Sequence, residues 1–149
     1  MSSETVGRSM EILLVEDNLI DARLTIEALK EGQVKHRLTL VRDGIEALAF
    51  LRREGPFVRA PRPDLILLDL RLPGMDGREV LTIIKADDVL QRIPLVVLTG
   101  SEAQEDVLRA EELHVDGYLV KPMDMQKFIT LVRRLKRFWH EDVILPAGE

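Results

Sequence analysis

Apolar and polar positions fall into blocks along this chain, and the block lengths predict strands and helices in alternation. Ile12-Leu13-Leu14-Val15 is a first apolar run that stops at Glu16-Asp17-Asn18. Ile20, Leu24 and Ala28 then recur at helical spacing, which predicts a helix on that stripe with Glu27 and Lys30 outward and Gly32 at its end. Leu38 to Val41 alternates and is partly β-branched, as expected of a more exposed strand. Asp43 is placed to cap a second helix, with Ile45, Leu48 and Leu51 on one face. The connection from Gly55 to Pro63 carries prolines that forbid a helix. Leu65 to Leu68 has no polar side chain and lies between Pro63 and Pro73-Gly74, the mark of a strand buried on both faces. It ends on Asp69.

After Asp76 and Gly77, read as turn and helix start, Val80, Leu81, Ile83 and Ile84 predict a third helix. Leu95 to Thr99 is another buried strand. Ser101 opens a capping box with Gln104 before a weakly apolar helix over 102–113, whose core candidates are Val107, Ala110 and Leu113. Gly117 to Val120 is a fifth strand, followed by Lys121-Pro122, a candidate cis peptide that would aim the lysine inward. Asp124 caps a last helix with a stripe of Phe128, Leu131, Val132 and Leu135 running toward Phe138-Trp139. Strand and helix thus alternate about five times, which implies a parallel sheet with helices on both faces. The first, third and fourth strands are the most apolar and belong in the centre. Residues 1–9 read as a loose tail.

Composition narrows the class. The chain has 149 residues with 46% apolar and 32% charged, a single soluble domain. There is no cysteine, so thiolate metal sites and disulfides are excluded. A net charge of −5 argues against broad nucleic-acid binding, and the Arg133-Arg134-Leu135-Lys136-Arg137 cluster reads as a solvated helix face. No apolar run is long enough to span a bilayer, and residues 1–10 lack the apolar centre of a signal peptide. The cytoplasm is the expected compartment, with neither nucleic acid nor membrane as partner.

Four strands end in a charged or reactive group: Glu16-Asp17, Asp69, Thr99 and Lys121. In a parallel sheet those ends share one edge, where ligands of such folds bind. Two carboxylates about 5 Å apart repel by roughly 3 kcal/mol at an effective dielectric near 20. A hard divalent cation relieves that repulsion, and oxygen-only ligation points to Mg²⁺. With the Lys121 ammonium and the Thr99 hydroxyl, the set forms a cage for a phosphoryl group, and Asp69 is the candidate nucleophile.

On these residues the chain resembles the receiver domain of bacterial two-component response regulators, the CheY-like family. The matching motifs are Leu14 to Asn18, Leu68 to Gly77, Leu98-Thr99-Gly100 and Tyr118 to Pro122, and the likeness covers about residues 10–138. That family is itself a standard example of the doubly wound α/β fold with strand order 2-1-3-4-5. The resemblance implies that Asp69 accepts phosphate from a sensor histidine kinase. It implies that Asp17, Asp69 and the backbone carbonyl of Arg71 bind Mg²⁺, with Glu16 acting through water. It further implies that Thr99 and Tyr118 move together as a switch and that Lys121 pairs with the phosphoryl oxygens. The domain division is then a tail over 1–9, a receiver over 10–138 and an extension over 139–149. The 56–63 connection and the end of the chain resemble a narrower group, single-domain regulators paired with phytochrome kinases. Gly100 departs from the alanine or serine more usual in the receiver family.

The expected product is a phosphoacceptor signalling domain, not a turnover enzyme, though it assists its own phosphoryl transfer and dephosphorylation. Output would pass through the 102–113 helix, the fifth strand and the last helix, with a homodimer through that face. Taken one at a time the residues have plainer readings. Glu16 to Asn18 could cap a helix, Thr99 could be an ordinary strand residue, Lys121 a solvated edge lysine and Tyr118 half-buried core. A flavin carrier on the same fold would need a Ser/Thr/Gly-rich loop where Glu16-Asp17 stands. An aspartyl phosphohydrolase would usually carry a second acid where Arg71 stands. A receiver that signals without phosphate usually lacks an acid, the lysine or the hydroxyl, and all are present here. His36, His114 and His140 show no ligand spacing.

Overall fold

The computed structural model describes residues 7–100 and 114–135. The expected 102–113 helix with its capping box, residues 1–6 of the tail, Phe138-Trp139 and the 139–149 extension lie outside the described residues. Five parallel strands form one sheet: β1 (Met10–Val15), β2 (His36–Val41), β3 (Leu65–Asp69), β4 (Leu95–Thr99) and β5 (Gly117–Val120). Their order is β2-β1-β3-β4-β5, with the three apolar strands inside and β2 and β5 at the edges. Four described α-helices connect or flank them: α1 (Leu19–Glu31), α2 (Gly44–Arg52), α3 (Gly77–Ala86) and α4 (Met125–Arg134). The architecture is the expected doubly wound α/β fold.

The unbroken apolar run of β3 follows from its place in the middle. Ile66 and Leu68 pack with Val80, Leu81 and Ile84 of α3 on one face. Leu65 and Leu67 pack with Leu29 of α1 and Phe128 and Val132 of α4 on the other. With both faces covered, the period-two alternation has no polar side to show. The four aliphatic side chains of β3 are fully buried, so truncating any one to alanine costs about 2–5 kcal/mol.

Local signals set the helix starts. The side chains of Asn18, Asp43, Asp76 and Asp124 each accept a backbone N–H in the first turn of the helix they precede. The β3–α3 turn closes on Gly77, whose N–H donates to the Leu70 carbonyl at 3.1 Å. A Cβ at Gly77 would stand 2.6 Å from Leu70 Cα and 2.7 Å from the Asp69 carbonyl oxygen, both backbone atoms. Glycine is what lets α3 begin directly beneath Asp69.

Two expected stripes are corrected. Ile20 and Leu24 of α1 face solvent, 72% and 47% exposed, while Ala22, Thr25 and Leu29 are buried. Small Ala22 and compact Thr25 let the helix lie close to the sheet, and Asn18 fixes the start of the helix and hence its rotation. In α2, Ile45 is exposed and the buried face is Ala47, Leu48, Phe50 and Leu51. The connection after α2 also holds one 3₁₀ turn, Gly55–Phe57, with Pro56 in its first positions where a missing N–H is tolerated. At the opposite end of the sheet from the strand tips, Arg8 grips buried Asp64 with two hydrogen bonds of 2.7 and 2.9 Å. Asp64 also accepts the Glu11 N–H at 2.8 Å, so the chain is already anchored at residue 8. Among the described residues no helix is long and apolar enough to cross a membrane.

Candidate functional site

Register decides which side chains leave the sheet together. Val15 lies beside Leu68, so Glu16 and Asp69 emerge as neighbours one residue later. Asp69 lies beside Leu98 and Thr99 beside Val120, which brings Thr99 and Lys121 to the same edge. The Lys121 N–H donates to the Thr99 carbonyl at 2.8 Å and ties the two tips. The Lys121–Pro122 peptide is cis.

The Lys121 ammonium is the hub. Its Nζ stands 3.2 Å from Glu16 Oε1, 2.9 Å from Asp21 Oδ2 and 3.2 Å from Asp69 Oδ2. Each strand-end acid uses its other oxygen on the backbone. Asn18 N–H donates to Glu16 Oε2 at 3.2 Å, and Arg71 N–H donates to Asp69 Oδ1 at 3.0 Å. Glu16, Asp69 and Thr99 are buried, Lys121 is partly buried, and Tyr118 is half-buried against the core face that holds Val97. The Arg71 side chain is exposed and Gly100 has open space around it.

Burial pushes Glu16 above the ordinary carboxylate range, to about 7, with further raising from its hydrogen bond to Asp69 and from Asp69's charge. Burial works against the charged form of Lys121, but the Asp21 hydrogen bond and the charges of Asp69 and Glu16 outweigh it and hold the lysine above its usual value. The ammonium is therefore a fixed positive charge, while the acids around it are too many for it to balance.

Sequence reasoning placed Glu16, Asp69, Thr99 and Lys121 together, and they are together. Asp17 stands apart on the rim. Its carboxylate is half-exposed and lies 3.8 Å from Arg42 Nη2, which also reaches the Asp17 carbonyl at 3.4 Å. Among the described residues no three acids or histidines are grouped so that they already form a metal-ion cage. The donor set nevertheless suits a hard divalent cation. It consists of oxygens only, it holds more negative charge than one ammonium offsets, and Glu16 and Asp69 meet at the same ammonium, each 3.2 Å from Lys121 Nζ. Sequence reasoning missed Asp21 and Arg42. Asp21 lies one helical turn after Asp17, a spacing that puts both at the same end of α1.

Comparison with known proteins decides the family. The model of the response regulator receiver domain matches residues 12–133. This chain belongs to that family. It is a receiver-domain response regulator of two-component signalling. The response regulator Rcp1 of Synechocystis sp. is 49% identical over 137 residues, covering 92% of this chain and 93% of Rcp1. The crystal structure of the Mn(2+)-bound form of Rcp1 superimposes with a TM-score of 0.70 at 48% identity, over 93% of this chain and 99% of that one. The phosphorylated cyanobacterial phytochrome response regulator RcpA gives 0.71 at 47% identity, over 93% and 99%. The bacteriophytochrome response regulator AtBRR gives 0.82 at 40% identity, over 89% and 96%. The narrower likeness to phytochrome-associated regulators therefore holds as well.

Proposed function

We propose that Asp69 accepts a phosphoryl group from a sensor histidine kinase, with Mg²⁺ held by Asp17, Asp69 and the Arg71 carbonyl and with Glu16 acting through water. The observation that carries this reading is the Lys121 ammonium set on both strand-end acids at one sheet edge. When bound, the cation supplies neutralisation of charge that develops on the phosphoryl oxygens.

The steps that belong to this chain follow from the contacts. A carboxylate oxygen of Asp69 attacks phosphorus, the P–N bond to the kinase histidine breaks, and the imidazole leaves with the electron pair. The Arg71 N–H holds Asp69 Oδ1, so the carboxylate is oriented before attack. Lys121, beside Asp69 Oδ2, is in reach of the transferred oxygens and offsets their added charge. Thr99 takes a hydrogen bond role at the phosphoryl group, and Tyr118 moves further into the space it leaves. The domain thereby assists its own phosphorylation and its later hydrolysis, without turning over a separate substrate.

The likeness to RcpA and AtBRR, both phytochrome response regulators, supports a phytochrome-type kinase as the partner of this chain. The output face would comprise the 102–113 helix, β5 and α4, and a homodimer would form through it with help from the 139–149 extension. Tyr118, Leu119, Leu131 and Arg134 line a hollow of about 330 Å³ on that face, a surface able to receive a partner. Transfer from an autophosphorylated phytochrome kinase, followed by mapping of the acyl phosphate, tests the assignment. Label at Asp69 is the expected result, and label on any other residue contradicts it.

A further inference from the structure

Asp21 belongs to no strand end, yet it makes the shortest contact to the central ammonium, 2.9 Å against 3.2 Å for Glu16 and Asp69. Its place is set by α1: its N–H is held by the capping Asn18 at 3.0 Å, so the carboxylate is presented by a fixed first turn. We infer that Asp21 is a positioning residue that moors the Lys121 ammonium on the α1 side and so limits how tightly the site takes a phosphoryl anion. The inference rests on the function proposed above.

Competing charges meet at Lys121. Glu16 and Asp69 both have a second engagement, on the Asn18 and Arg71 N–H groups. Both also lie where the divalent cation would sit. Once that cation and a phosphoryl group are present, those two acids are satisfied by other partners. Asp21 is then the acid still drawing on Lys121. A phosphoryl group brings about −1.5 to −2 charges to Asp69 and needs the same ammonium. Asp21 also adds a negative charge beside the pocket. That charge favours the cation and disfavours the anion, so its removal acts on the two ligands with opposite signs. Loss of a merely structural contact would weaken both.

The test uses the full chain and calorimetric titration, first with Mg²⁺ and then with beryllofluoride at saturating Mg²⁺. Asp21→Asn should weaken Mg²⁺ binding by about 2- to 5-fold and tighten beryllofluoride by about 3- to 10-fold, a modest range because Asp21 is 31% exposed. Asp21→Glu, which keeps the charge, should bring both constants back toward wild type. Glu27→Gln makes the same charge change on the exposed side of α1 and should leave both constants alone. The inference is overturned if Asp21→Asn weakens both ligands, changes neither, or does no more than Glu27→Gln. A wild-type chain that takes no beryllofluoride overturns the proposed function itself, which separates the two failures.

Discussion

At the scale of single residues, the site is a problem of charge balance solved with very few groups. One ammonium serves three carboxylates, two of them buried, and each buried acid has a backbone N–H on its other oxygen. This makes the cation-free form sensitive to pH. Glu16 is raised from an ordinary 4.5 to about 7, chiefly by burial. A carboxyl raised in the folded state favours folding fully below its unfolded value, and that benefit is lost as pH rises through about 7. Without divalent cation, the melting temperature should therefore fall between about pH 5 and pH 8. Glu16→Gln should flatten that fall, and Mg²⁺ should restore stability most above pH 7. Arg42 competes for Asp17, so Arg42→Ala should tighten Mg²⁺ binding by about 2- to 3-fold, read by the same titration. The three-residue run Glu16-Asp17-Asn18 also shows why single-residue readings mislead. Asn18 is a helix cap, Glu16 is buried in the site and Asp17 stands on the rim. Chemistry at strand tips was legible because those residues end apolar runs. Asp21 was not, because it sits inside the first turn of α1, where an acid reads as an ordinary helix-start residue, and Arg42 was not, because the strand it follows is the less apolar edge strand β2.

At the scale of elements, backbone closeness does most of the placing. The turn after β3 can return under Asp69 only because Gly77 has no side chain. Gly77→Ala should cost about 1–3 kcal/mol in chemical denaturation and should also slow phosphorylation, since the strain falls on the Asp69 and Leu70 backbone. Removing the Asp43 cap by Asp43→Ala should cost about 1 kcal/mol and leave phosphorylation intact, since α2 carries no residue of the site. Strand positions and helix starts could be read from apolar runs and capping residues. Helix rotation could not be read as well. Ile20 and Leu24 look like a core stripe by spacing, yet Asn18 and the small residues Ala22 and Thr25 turn the helix the other way. The result is an exposed apolar strip on α1 beside the pocket.

At the scale of the whole molecule, five strand tips lie on one edge because every pairing in the sheet is parallel, so convergence followed once the strands were read as parallel. Hydrophobicity marked β1, β3 and β4 as central and β2 and β5 as edges, whereas the full order 2-1-3-4-5 followed from the family resemblance. The far end of the sheet is fastened instead by Arg8 on Asp64, a clasp the apolar pattern does not reveal because it joins residues far apart in the chain. A homodimer is the expected output, and light scattering with and without beryllofluoride should show dimer mass in at least one of the two states, whereas a monomer in both would contradict it. Cation-dependent phosphorylation of Asp69 is the step on which every later one rests. Intact-mass spectrometry after incubation with acetyl phosphate measures this directly. Wild-type chain should gain one phosphoryl group with Mg²⁺ and none with chelator, and Asp69→Asn should gain none in either condition. Equal labelling of Asp69→Asn, or wild-type labelling indifferent to chelator, would contradict the account.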